Sequence, residues 1–428
     1  MNYRSADNSV IVVGGGVIGI ACAHYLTRSG FQVTVIDKDS IAGACSYANC
    51  GYICPSHVPP LTEPGAIRIA LRSLLNPRSP FRVKPSLSPA VLQWMWQFAR
   101  RCNERQVLTA GKQLQSILDA SMSEYRDLVA TLKLECEWQE KGLLYVFRTE
   151  HAYEEFAQTD RMLTEKFGVA ATPIKGSELP TFDSGLRNDL YGAFHYPGDT
   201  SLRPDLLNEQ WAKRLKQQGV KFIEHCELKD IRTEFGRVVG LTTSSGEMNA
   251  GNYVFALGAL STKWSKALSC SIPILPGKGY SLTMDRPAQC PDRPMLFPEE
   301  KVGVSPFANG MRLGSMMEFV GYDTSIPAYR IQQLRDAARP YLLASVDGEA
   351  KETWYGWRPM TWDSLPIIGP VPDLSNALLA TGHNMLGMSL ATSTGKMIAE
   401  MLSGEETHID ASAFSPTRFN KRAATAKA

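Results

Sequence analysis

The sequence predicts an α/β fold that opens on a Rossmann-like βαβ unit, and three observations carry this. A short β-branched run, Ser9–Val13 (SVIVV), has the length and apolarity of a buried parallel strand. It leads into Gly14-Gly15-Gly16-Val17-Ile18-Gly19 and a helical pattern with Ile18, Ala21, Tyr25 and Leu26 on one face, closed by Gly30. A second run, Gln32–Ile36 (QVTVI), ends at Asp37, completing strand, tight turn, helix and strand within about thirty residues.

The remaining elements follow in order. Residues 42–64, rich in Gly, Pro, Ser and Asn, read as loop. From Ser88 the pattern turns helical: Leu92, Met95, Trp96, Ala99 and Cys102 share one face, and Leu114, Ile117, Ser121, Tyr125, Leu128 and Leu132 another. Strand-like pieces recur at Leu143–Phe147, Lys221–Ile223 and 238–242. Residues 253–257 run into Gly258, and Ala377–Thr381 into Gly382. Beyond Gly387 a helix carries Ala391, Thr394, Ile398 and Met401 on one face. There is no internal repeat, and the Ala/Lys-rich tail after Phe419 is read as frayed.

Composition excludes several classes. A chain of 428 residues, 44% hydrophobic and 21% charged, has ordinary globular usage and material for two or three domains. Lys+Arg number 45 against 43 Asp+Glu, so no net field points to nucleic acid. Nine cysteines, an odd number, fit reduced thiols in a cytoplasmic enzyme better than a disulfide framework. Residues 8–23 are apolar and uncharged, but Gly14 to Gly16 would weaken a signal helix, and Asp7 stands where basic residues should dominate. The charge-free stretch 374–395 contains Asn376, His383 and Asn384 and is not a spanning helix.

The glycine turn carries the first chemistry. Gly14 permits the tight turn, Gly16 lets a pyrophosphate approach the backbone, and Gly19 allows close packing of helix on strand. Val17 and Ile18 open the helix, whose free N–H groups face the phosphates. Asp37, eighteen residues beyond Gly19, can accept hydrogen bonds from ribose hydroxyls, with Lys38 beside it. Two further features favour FAD over a nicotinamide cofactor. Ser46, Asn49 and Gly51 form a polar loop close behind the βαβ unit. The late turn with Gly382 and Gly387 would aim a helix N-terminus at a group that gains negative charge on reduction. Cys45, Cys50 and Cys54 nearly match the plant-type ferredoxin spacing but are one residue too long at the second gap. They read as small thiols beside the cofactor, and no metal site is expected.

Taken in order, VIVVGGGVIGIACAHYLTRSGFQVTVID, SYANCGYICPS, LLNPRSPFRVKP, LQWMWQF, YVFALGALS, GKGYSLT, WYGWRPMTWDSLPIIGP and LLATGHNMLGMSLATSTGK resemble the flavin-dependent D-amino-acid oxidase superfamily over nearly the whole chain. Within it the chain is most similar to the bacterial D-amino-acid dehydrogenases of the small-subunit type. The resemblance implies a Rossmann-like FAD-binding domain (residues 1–85, 175–270 and 352–428). It is interleaved with an α+β substrate domain on a mostly antiparallel sheet (86–174 and 271–351). It implies that Gly14, Gly16, Gly19 and Asp37 bind the ADP half of FAD, and that Ser46, Asn49 and Gly51 line the pyrophosphate and isoalloxazine. Leu228 would present its backbone to adenine, and Ala256 and Gly258 would pass near the dinucleotide. Gly382, His383, Met385, Leu386 and Gly387 would lie under the flavin pyrimidine. Arg358 corresponds to the arginine that holds the substrate carboxylate; Tyr280 and His57 are further pocket candidates, and Lys278 a candidate for holding a water near the flavin. No cysteine follows Cys290, so FAD is expected to be non-covalent.

The activity so implied is oxidative deamination of D-amino acids, cyclic ones of the D-proline or hydroxy-D-proline type included. A hydride passes from Cα to flavin N5, and electrons leave to a quinone or another non-oxygen acceptor. An O₂-using oxidase of glycine, sarcosine or D-amino acids, and a flavoprotein subunit of a multi-chain dehydrogenase, are the alternatives. Three aromatic residues, Trp354, Trp357 and Trp362, flank Arg358; two are expected in the core and one in the pocket wall. Arg68, Arg72, Arg78, Arg82 and Lys84 interleave with Ile67, Ile69, Leu71, Leu74 and Phe81. That stretch is read as a solvated basic face, with peripheral contact at the inner face of a membrane as the alternative.

Overall fold

The computed structural model describes residues 7–68, 70 and 79–420. The tail beyond 420, and Ile69, Leu71, Arg72, Leu74 and Arg78 of the basic stretch, lie outside the described residues.

Two large sheets organise the chain. The first has β1 (Ser9–Val13) near its middle, flanked by β2 (Gln32–Ile36) and β13 (Asn252–Phe255), then by β9 (Lys221–Ile223) on one side and β20 (Ala377–Thr381) and β19 (Ile367–Pro370) on the other. All pairs are parallel except β19 with β20. Its strands are nearly continuous apolar runs because both faces are covered. Four helices share one core with it: Val17–Arg28, Pro204–Gln217, Gly387–Ser403 and the long Glu104–Leu132. Gly395 makes the closest approach, since a Cβ there would stand 2.5 Å from the backbone carbonyl of Ala21.

The second sheet runs β18 (Ala350–Thr361), β14 (Ile274–Asp285), β17 (Gly310–Phe319), β16 (Val302–Pro306), β15 (Met295–Phe297), β5 (Leu143–Phe147), β7 (Gly192–Tyr196) and β6 (Thr172–Lys175), with β4 (Phe81–Val83) paired to β17. It is antiparallel except where β15 meets β5 and β17 meets β4. One face is apolar: Leu282, Met284, Val302, Val304 and Leu313 pack against Leu334, Ala337 and Ala338 of the helix Ala328–Ala338. Smaller pairings complete the fold: β10 (Leu228–Glu234), β11 (Arg237–Thr243) and β12 (Gly246–Met248) form one sheet, and β3 (Tyr52–Ile53) pairs with β8 (Thr200–Ser201).

Element membership departs from the expected division in several places. Residues 81–83, 192–196 and 352–361, expected with the first sheet, belong to the second. The helix Glu104–Leu132, expected with the substrate domain, docks on the first: Tyr125 donates to the Met388 carbonyl at 2.6 Å, and Ser121 bonds Thr392 at 2.7 Å. The apolar stripe of that helix finds its partner among the helices of the parallel sheet rather than on its sequence neighbours. The strand read at 253–257 ends at Phe255, where the chain turns into a 3₁₀ helix from Gly258.

Candidate active site

The C-terminal ends of the parallel strands bring Gly14, Asp37, Ala256 and Gly382 to one edge of the sheet, where the ligand crevice of such folds lies. Gly14, with φ +110°, lies against Ala256: a Cβ on it would be 2.4 Å from the Ala256 oxygen. A Cβ on Gly19 would sit 1.8 Å from the Gly14 oxygen, so each glycine is required by a close backbone approach. Gly16 is more open, meeting only the Ser46 hydroxyl at 3.2 Å. That hydroxyl accepts the Val17 N–H at 2.9 Å and ties the loop 44–51 to the helix start. Asn49 folds the loop by accepting the Gly51 N–H at 2.8 Å, and Gly51, with φ +72°, packs on the Leu202 backbone.

At the far end of the crevice Asp37 accepts the Gly15 N–H at 2.7 Å and the Asp39 N–H at 2.9 Å. Burial pushes its carboxyl up, and the two backbone donors oppose that. Lys38 pairs outward with Asp39 at 2.6 Å. The Cys226 N–H bonds the Asp37 carbonyl at 2.7 Å, which brings Leu228 to the same end. Gly258, with φ +52° and no atom within 4 Å of its would-be Cβ, faces open space.

At the other end β20 runs into Gly382, His383 and the turn before the helix Gly387–Ser403, whose N-terminus carries no side-chain cap. His383 is buried against Thr394 at 3.0 Å, and burial pulls its imidazole down to about 3, so it is neutral. Met385 is 47% exposed beside it and Leu386 partly so. Two helix N-termini with glycine-lined approaches, an acid at the end of the second strand and a polar loop between fit an FAD-sized dinucleotide. The cradle at Gly14 and Gly19, where a Cβ would collide with backbone, with Gly16 open but for the Ser46 hydroxyl, is the observation that carries that fit.

Arg358 is joined to this turn through Asn384, a residue the sequence reading missed. The Asn384 N–H bonds the Pro359 carbonyl at 3.1 Å, and its side-chain oxygen accepts the Thr361 N–H at 2.9 Å. Cross-strand partners share a sheet face, so Arg358 lies with Gly277, Gly279 and Ser281 of β14, Trp354 and Gly356 of β18 and Gly314 of β17. Cys50 packs on the same face, against Gly303 and Gly314. Arg358 donates to the Met316 carbonyl at 2.7 Å. Met316 has φ +65°, at a register shift of β17 that aims its carbonyl at the guanidinium. No carboxylate among the described residues lies within ion-pair range of Arg358. Asp363, the nearby acid, is occupied by Arg418 at 2.8 Å. Burial pulls the guanidinium below its ordinary range, as expected for a desolvated cation.

Two other candidates are not brought to Arg358. Lys278 and Tyr280 point to the opposite, apolar face of the sheet because strand residues alternate. There Lys278 pairs with Asp323, and Tyr280 donates to Glu318 at 2.5 Å beside Arg330. His57 bonds Tyr145 of β5 at 3.1 Å, and its backbone N–H bonds the carbonyl of Cys54, whose own N–H is held by Ser389 at the start of the helix Gly387–Ser403. The two strand expectations are corrected: Lys278 and Tyr280 are held in ion-pair and hydrogen-bond contacts away from Arg358. Of the tryptophans, Trp362 is 9% exposed, Trp357 meets Tyr322 and Tyr355 on the far face, and Trp354 lies over Gly356 on the face of Arg358. No helix among the described residues is long and apolar enough to cross a membrane.

Comparison with known proteins adds to this geometry. A family model described as FAD dependent oxidoreductase (DAO) matches residues 9–401. The chain is 32% identical over 416 residues to a D-amino acid dehydrogenase of Vibrio atlanticus, covering 96% of this chain and 99% of that one. It is 31% identical over 403 residues to a D-amino acid dehydrogenase of Vibrio vulnificus, covering 93% and 96%. Glycine oxidase from Geobacillus kaustophilus shares the fold, with a TM-score of 0.77 at 22% identity over 96% of this chain and 98% of that one.

Proposed function

The chain belongs to the DAO family of FAD-dependent oxidoreductases, and from that premise we propose that it oxidises free D-amino acids at Cα. The observation that carries this reading is Arg358: a desolvated guanidinium without an acidic partner among the described residues, on a glycine-lined face joined through Asn384 to the turn before the helix Gly387–Ser403. A planar guanidinium offers two parallel N–H donors to a substrate carboxylate. The names of the relatives support the D-amino acid as substrate. FAD, when bound, supplies the acceptor for the hydride that leaves Cα.

The chain's own residues then have three tasks. Gly14, Gly16, Val17, Ile18, Gly19, Ser46 and Asp37 hold the cofactor's phosphates and ribose, while Gly382, His383 and Gly387 fix its other end without placing a charge there. Arg358 fixes the carboxylate, so that Cα–H has one orientation. Trp354 and the glycine floor exclude water until the imino product leaves for hydrolysis to a 2-oxo acid and ammonia. The titratable groups nearest Arg358 are Cys45 and Cys50, whose thiols burial pushes up. They stay protonated, so the substrate must arrive with its amine as the free base.

Electrons leave, in this reading, to a quinone or a protein acceptor. Leu87, Leu92 and Trp96 stand exposed beside Lys84 and Arg100, which supports contact with an anionic lipid surface. The test is a panel of D- and L-amino acids, D-proline and hydroxy-D-proline included, assayed with a quinone or dye acceptor and separately for peroxide. Activity on D-isomers with slow reoxidation in air is expected. Rapid oxygen turnover with stoichiometric peroxide would make the protein an oxidase, and activity confined to L-isomers would overturn the substrate assignment.

A further inference from the structure

We infer that Gly279 is a positioning residue for Arg358, kept side-chain-free so that the guanidinium can lie flat on the β14 backbone. A Cβ built on Gly279 would stand 2.2 Å from one terminal nitrogen of Arg358, 2.4 Å from the other and 2.5 Å from the carbon between them. All three distances are alike, which is the signature of a planar group stacked face-on over the position. The Arg358 head is the nearest group the new atom would meet, so the glycine does not answer a backbone crossing. Nor does it answer a conformational need, because Gly279 is absent from the left-handed region that Gly14, Gly51 and Gly258 occupy. Its strand pairing with Gly356 is regular, and Gly356 in turn lies beneath the Trp354 ring, 2.3 Å from its would-be Cβ. Two adjacent glycines thus carry two flat side chains side by side. The Met316 carbonyl, 2.7 Å from Arg358, closes the remaining side.

The consequence is specific. A methyl group at 279 reaches ordinary contact, near 3.4 Å, only if the guanidinium retreats by about an ångström. The arginine is the flexible partner, so the fold tolerates the change while the fork of donors is misplaced. Displacements of that size in a bidentate clamp cost about 100-fold at most in many sites. The inference rests on the proposal that Arg358 holds the substrate carboxylate, and the experiment separates the two.

FAD-loaded wild type, Gly279→Ala, Arg358→Ala, Arg358→Lys and the double variant Gly279→Ala/Arg358→Lys are compared. The probes are a competitive carboxylate inhibitor and its amide, with binding read from the change in the flavin spectrum. Gly279→Ala is expected to keep FAD content and thermal midpoint, to raise Kd for the carboxylate by about 10- to 100-fold, and to leave Kd for the amide unchanged. In the Arg358→Lys background the same alanine is expected to have little effect, because no flat head group lies above it. Should Arg358→Ala abolish the preference for carboxylate over amide while Gly279→Ala retains it, the positioning role is wrong and the proposed function stands. Should Arg358→Ala retain the preference, the carboxylate assignment fails and the inference falls with it. If Gly279→Ala does not fold, folding restored by Arg358→Lys supports the clash described, and continued failure in the double variant refutes it.

Discussion

At the scale of single residues, the proposed site turns on Arg358, which has no acidic partner among the described residues. Removing one side of such a desolvated pair costs about 2–5 kcal/mol. At about 1.4 kcal/mol per decade, Arg358→Ala should lower kcat/KM on the order of thirty- to several-thousand-fold, and Arg358→Lys should recover only part. FAD content should be normal in both; loss of flavin would place the arginine on the cofactor instead. The absence of a charged base facing Arg358 among the described residues gives a second expectation. The pH profile of kcat/KM should rise on its acid side with the pKa of the substrate's amine, and shift when substrates of different amine pKa are compared. A profile fixed at one pKa for all substrates would reveal an enzyme base. Arg358 was legible in the sequence, as a lone arginine among aromatics. Its supports were not. Gly279, Gly314 and Gly356 act through what they lack, Met316 through its carbonyl, and Asn384 through a contact across 23 residues to Thr361. Lys278 and Tyr280 were misassigned because a strand neighbour one position away points to the other face.

At the scale of elements, the two helices that aim their N-termini at the crevice are fixed to one another at Gly395. There a Cβ would meet the backbone carbon and oxygen of Ala21 at 2.5 Å. Backbone cannot retreat as a side chain can, so Gly395→Ala should separate the helices Val17–Arg28 and Gly387–Ser403. A stability loss of about 1–3 kcal/mol is expected, with weaker FAD binding because both phosphate and pyrimidine ends shift. The check is the thermal midpoint with and without added FAD; an unchanged midpoint and FAD affinity would show that the crossing relaxes at no cost. The βαβ unit and Ala377–Thr381 could be read from sequence because buried parallel strands are uniform apolar runs bounded by glycine. The long strands β14 and β18 could not. One face alternates glycine, serine and arginine, and on the other Lys278, held in an ion pair, interrupts the apolar alternation that Tyr280, Leu282 and Met284 continue, so the period of two is broken.

At the scale of the whole molecule, buried titratable groups set how stability responds to acid. His24 is 3% exposed and burial pulls it down to about 4; His383 is 2% exposed and pulled down to about 3. Both are neutral in the folded protein and take a proton near pH 6.5 when unfolded. A folded pKa below the unfolded one means that the unfolded state binds more protons as pH falls, so this stability is present above about 6.5 and lost below it. His57, pulled to about 4 in a less enclosed setting, adds in the same direction. Asp199 opposes them. It is 1% exposed, its two oxygens accept from the Ser56 N–H and hydroxyl, and burial pushes its carboxyl up to about 7. Its folded pKa exceeds the unfolded one, so it favours the native state as pH falls from about 7. Three histidine protons taken up on unfolding against one held by Asp199 leave about two in net by pH 5, and about one near pH 6.5, where the unfolded histidines are half protonated. The FAD-loaded protein should therefore lose on the order of 1–3 kcal/mol per pH unit between pH 6.5 and 5, more steeply towards the acid end. Asp199→Asn removes the opposing group: relative to wild type it should be more stable at pH 8, where the buried carboxylate is charged, and should lose stability more steeply on acidification. Unfolding midpoints measured from pH 8 to 5 for both proteins check the sign. A midpoint that rises towards pH 5, or an Asp199→Asn variant with a shallower slope, would mean that these side chains are charged in the native state and that their burial has been misread.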